Sequence, residues 1–159
     1  PVFPYGISNR TLRNLPFVKI FSMGLAWSGV SVIFPLVNSG VVLDRIVWFF
    51  FLYQFLFVFV WKLPFDIRDI THDIQEMKTI PQIMGIERTK KTGIVLLVCM
   101  LLMSSVLFEN SHSFVLLSGL FFLMVALLFS REKQAPYFAS FWVESIPIGQ
   151  FILFVCFDL

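Results

Sequence analysis

Five apolar runs, each close to the length of a membrane-crossing helix, constrain this chain more than any other feature. They cover residues 17–36, 46–63, 93–108, 113–130 and 138–157. An α-helix needs about 20 mostly apolar residues to cross the hydrocarbon core of a bilayer. Transmembrane β-strands would instead appear as alternating segments of about ten residues, a pattern missing here. The runs predict an all-α, polytopic helical membrane protein, a single domain with about five transmembrane helices. Composition agrees, since 58% of the 159 residues are hydrophobic and only 14% charged, where soluble domains carry about 25% charged residues. Cys99 and Cys156 both fall inside apolar runs and read as small hydrophobic fillers, not as a disulfide or metal pair. The chain opens on Pro1 without a signal-peptide pattern, which reads as a piece of a longer protein rather than a cleaved one.

The basic residues set an orientation. With the N-terminal segment in the cytoplasm, Arg10, Arg13 and Lys19 lie inside. So do Lys62, Arg68, Lys78, Arg88, Lys90 and Lys91, and after them Arg131 and Lys133. Arg45 alone falls outside. So one-sided a distribution follows the positive-inside rule of a bacterial-type inner membrane. It places residues 64–92 in the cytoplasm and the C-terminus outside. Three of the four connections are short, whereas residues 64–92 form a long polar stretch, and long connections tend to be functional.

That stretch concentrates the acids. Asp66, Asp69, Asp73 and Glu76 follow one another at spacings of three, four and three. On a helix this stacks four carboxylates along one face. Like charges so placed repel, and partial desolvation at a membrane surface disfavours their ionised forms. A divalent cation relieves both penalties. Mg²⁺ takes oxygen ligands, while the lack of a Cys or His cluster disfavours zinc. The four acids of this stripe are therefore candidate ligands of such a cation. The interleaved Arg68 and Lys78, at membrane level, suit a phosphorylated lipid whose phosphates meet cations and whose tail stays in the bilayer. The plainer alternative is an ordinary charged loop between two spans, with His72 facing water.

The same residues resemble a known family. Asp66-Ile-Arg68-Asp69-Ile-Thr-His-Asp73, followed by Lys78-Thr79-Ile-Pro81 and Gly85, is similar to the second aspartate motif of the UbiA-type intramembrane prenyltransferases. Asp66 takes the place of an asparagine in that pattern, and Arg68, Asp69 and Asp73 match it. The segment Leu12-Arg13-Asn14-Leu15-Pro16-Phe17-Val18-Lys19 also looks like the family's basic lead-in to a middle span. The resemblance implies a nine-helix bundle of which these spans are the C-terminal part. The family's first cluster, of Asn-Asp-x-x-Asp type, is not among these residues and is expected upstream of Pro1.

By resemblance, the chain would transfer an isoprenyl group from its diphosphate to an aromatic, quinone-precursor-like acceptor with Mg²⁺. Asp69, Asp73 and Lys78 would be catalytic; Arg68, Lys78 and Thr79 would bind substrate; Asp66, Asp69 and Asp73 would hold the metal. A second reading, from another class, is a non-catalytic relative serving as a structural or accessory subunit of a membrane complex. A small transporter is a third, opposed by the lack of polar residues at mid-membrane. Glu144, inside the fifth run, is read either as snorkelling or basic-partnered, or as part of the chemistry. Nothing in the sequence points to nucleic acid.

Overall fold

The computed structural model describes residues 17–71, 79–107, 110–135 and 137–157. Among them every regular element is helical and no strand occurs. Helix α1 (Val18–Ser28) passes through a π-helical stretch (Gly29–Ile33) into α2 (Phe34–Asn38). A turn through Ser39 and Gly40 leads to α3 (Arg45–Arg68), then to a 3₁₀ turn (Asp69–Thr71). The short α4 (Ile80–Met84) is followed by α5 (Ile86–Leu107) and α6 (Asn110–Phe129). A second π-helical stretch (Phe138–Val143) leads into α7 (Ser145–Phe157).

Three stretches are long and apolar enough to cross a membrane: Val18–Asn38, Arg45–Arg68 and Phe138–Cys156. The other two expected spans also form helices, but their apolar parts are shorter. Helix α5 opens on Glu87, Arg88, Lys90 and Lys91, and α6 offers Phe114–Phe129. The nine-helix bundle implied by the resemblance is not shown by this chain.

Helix α3 is the hub. It packs against α1, α4, α5, α6 and the second π stretch. In its apolar window 39% of the residues are buried, against 17% in each of the other two long stretches. Val60, Leu63 and Ile67 of α3 meet Met100 of α5, Leu123 and Leu127 of α6, and Val143 in one core. The outer helices turn Phe21, Trp27, Phe34, Leu102, Phe121, Phe129 and Phe151 outward. So continuous an apolar surface suits a bundle whose solvent is lipid.

Local sequence explains the elements. Asp44 caps α3, its Oδ1 accepting from the Val47 N–H at 2.9 Å. Pro64 does not end α3, although the expected span stops at 63. The helix continues through buried Pro64, Phe65, Asp66 and Ile67 to Arg68, because packing from the neighbouring helices outweighs the single hydrogen bond the proline removes. Each π stretch precedes a proline, Pro35 in one case and Pro147 in the other. A proline ring crowds the carbonyl four residues back and cannot donate to it. For Pro147 that carbonyl is Val143's, and it finds a donor on another helix: the Trp61 indole Nε1–H, at 2.8 Å.

Candidate functional site

The α3 end of the bundle gathers the charges. Because α3 yields to a 3₁₀ turn after Arg68, Asp66 and Asp69 do not continue as a stripe along one α-helical face. Asp66 points into the protein with its side chain 5% exposed, and its Oδ1 lies 3.7 Å from Lys19 Nζ on α1. Lys19 belongs to the lead-in segment, so this ion pair links the two parts of the sequence that carry the family resemblance.

Asp69 is turned to its own neighbour. Arg68 Nε donates to Asp69 Oδ1 at 2.6 Å and Nη2 donates to Oδ2 at 3.0 Å, a two-pronged pairing. Arg68 Nη1 also donates to Ser140 Oγ in the second π stretch, at 3.0 Å. The Phe65 ring lies 5.6 Å from the guanidinium carbon and 4.4 Å from Lys62 Nζ, both within cation–π range. Lys62 feels the charges of Asp66, Lys19, Asp69 and Glu144, and Glu144 acts on Arg68 as well. Three elements thus contribute charge to one end of the bundle: α1, α3 and the beginning of α7. Glu144, exposed where the π stretch meets α7, belongs to this group through its basic partners.

Thr79 is 4% exposed and stands as the N-cap of α4. Its N–H donates to Gln82 Oε1 at 3.0 Å, and Gln82 Nε2 donates to the Ile70 carbonyl at 3.4 Å. Gln82 therefore ties the start of α4 to the 3₁₀ turn. Asp73, Lys78, Glu76 and His72 lie outside the described residues.

The described carboxylates can be tested against Mg²⁺, which wants several oxygens around one point. Asp66 is buried against Lys19, and Asp69 offers both oxygens to Arg68. No group of three or more His, Cys, Asp or Glu able to hold a metal ion occurs among the described residues. As placed, Asp66 and Asp69 fit cations of this chain rather than a shared metal.

Arg68 has donors to spare. A guanidinium carries five N–H groups, one on Nε and two on each Nη. The bonds to Asp69 and Ser140 take one from each nitrogen. One N–H on each Nη then remains for a further acceptor. Beside this end, Phe138, Trp142 and Ile146 face Phe122 and Ala126 of α6 across an apolar cleft of about 690 Å³.

Three of these participants have no motif to announce them: Ser140, Trp61 and the partnership of Lys19 with Asp66. For Trp61 there is one sequence signal, Pro147, since it predicts an unpaired carbonyl at Val143. Comparison with family models, curated proteins and solved structures gives no match to this chain.

Proposed function

We propose that this chain is the C-terminal part of a UbiA-type intramembrane prenyltransferase, with its five helices as membrane spans and its α3 end in the cytoplasm. The observation that carries the reading is Arg68. It is fixed at the end of an apolar helix, with one N–H left on each Nη. Such a group is matched to phosphate oxygens, and the neighbouring cleft and lipid-facing helices suit a hydrocarbon chain.

In this reading the substrate is an isoprenyl diphosphate. The allylic C–O bond breaks, the diphosphate leaves with the electron pair, and the allylic cation alkylates an electron-rich aromatic carbon, which then loses its proton. Arg68, aided by Lys62 and Lys78, stabilises the charge that grows on the leaving group. Mg²⁺ carried by the diphosphate itself would supply further neutralisation, since both oxygens of Asp69 are already engaged by Arg68. Asp66 positions α1 against α3 through Lys19, and Thr79 caps α4.

One observation favours the non-catalytic alternative: both described aspartates of the motif already have cations of this chain. A structural relative would keep those pairs for assembly alone. The decisive experiment is Mg²⁺-dependent prenyl transfer from farnesyl and geranylgeranyl diphosphate by the full-length protein in nanodiscs. Activity is expected, with a loss of about 100-fold or more in Arg68→Ala, the scale of losing one electrostatic stabiliser of a transition state. Absence of both transfer and diphosphate binding in the wild-type protein rejects the enzyme reading and leaves the structural one.

A further inference from the structure

We infer that the π-helical stretch Phe138–Val143 is the positioning element for Arg68, and that Ser140 is the residue through which it aims the guanidinium at a bound diphosphate. The inference rests on the diphosphate reading and adds to it a part of the chain with no aspartate motif.

The starting point is Pro147. Lacking an N–H, it leaves the Val143 carbonyl without its helical donor. In a lipid setting such a group must find another partner, and Trp61 Nε1–H supplies it at 2.8 Å. Inside the stretch the backbone takes wider turns, as in the bond from the Glu144 N–H to the Ala139 carbonyl at 3.3 Å. Each extra residue in a turn rotates the helix on its N-terminal side by about 100° relative to the helix on its C-terminal side. π turns recur at functional sites because they re-aim side chains in this way. Here Ala139 and Val143 are buried in the core, while Ser140 stands against Arg68.

The consequence is specific to Arg68. Asp69 is the next residue along the chain, so their pairing alone moves with the end of α3. Ser140 belongs to the last span, whose register against α3 is fixed by Trp61. The bond from Nη1 to Ser140 Oγ therefore ties the guanidinium to a second element and leaves one N–H on each Nη for the incoming phosphate. The hydroxyl acts through Arg68 and touches no reacting atom, so its effect belongs to affinity.

The test uses the full-length protein in nanodiscs and the unreactive analogue farnesyl thiodiphosphate. Ser140→Ala is expected to weaken its binding about 10- to 100-fold, as the loss of one hydrogen bond to a charged group would. The thermal midpoint without ligand should stay unchanged, and Ser140→Thr should restore affinity to within about two-fold. Arg68→Ala serves as the reference and should lose binding altogether. If Ser140→Ala binds like the wild type while Arg68→Ala does not, the positioning role is overturned and the diphosphate reading stands. If Arg68→Ala also binds like the wild type, both fall. If Ser140→Ala lowers the midpoint and threonine fails to restore affinity, the hydroxyl is only structural and the inference is overturned.

Discussion

At the scale of single residues, Asp66 is the clearest case of a side chain whose surroundings decide its role. It sits on α3 at the register of a motif, yet its side chain is only 5% exposed and its Oδ1 lies 3.7 Å from Lys19 Nζ. Removing one partner of a buried pair costs several kcal/mol because the other charge is stranded. Lys19 is 38% exposed and can turn to water, which lowers that cost. Asp66→Asn should therefore destabilise the protein by about 1–3 kcal/mol, measured by denaturant unfolding in detergent micelles. Lys19→Met combined with Asp66→Asn should recover most of the loss, and a double variant no better than Asp66→Asn alone would show that the pair is not what holds Asp66. The sequence made Asp66 visible as an acid at helical spacing from Asp69 and Asp73. It did not reveal that Lys19 covers it, because contact between residues so far apart in the chain depends on how α1 packs. Arg68 was legible as a phosphate partner from its place among the acids, whereas Ser140, an ordinary hydroxyl in an apolar run, carried no signal of its own.

Among the elements, close packing of α5 against α3 and α6 turns on a glycine. Gly93 lies where α5 meets α3 and α6, and a Cβ there would stand 3.0 Å from Leu63 Cδ1 and closer still to Leu127. Both leucines are fully buried and have little room to yield. Small residues at such points are what let membrane helices approach. Gly93→Ala should cost about 1–3 kcal/mol through overpacking, while Gly29→Ala, where a Cβ meets nothing within 4 Å, should change stability little. Equal unfolding midpoints for the two variants would contradict this account of the α3–α5–α6 junction. The helical runs themselves were readable because hydropathy acts locally. Their ends were less so: α3 overran Pro64, and part of the expected long connection became α4 and the first turns of α5. The reason is again tertiary, since Phe65, Ile67 and Ile80 are buried and a run with charged neighbours does not advertise that it will be covered.

For the molecule as a whole, charge predicts the orientation. Apart from Arg45, the described Lys and Arg residues group at the ends assigned to the cytoplasm, and the turn at Ser39 and Gly40 lies on the opposite side. In a background with Cys99 and Cys156 replaced by serine, Ser39→Cys should react with a membrane-impermeant maleimide added outside intact cells. Lys133→Cys should react only after permeabilisation, and the reverse pattern would invert the topology. The hydrogen bond from Trp61 to Val143 has a consequence in time as well as in space. Its partners are 82 positions apart, and ribosomes add about 5–20 residues per second. Trp61 is therefore made some 4–16 s before the carbonyl that it will meet. During that interval α3 holds an indole N–H that hydrocarbon cannot satisfy, which favours a shallow seat near the headgroups, where water can take the bond. Arrival of the helix that carries Val143 supplies the missing acceptor and draws the tryptophan into place.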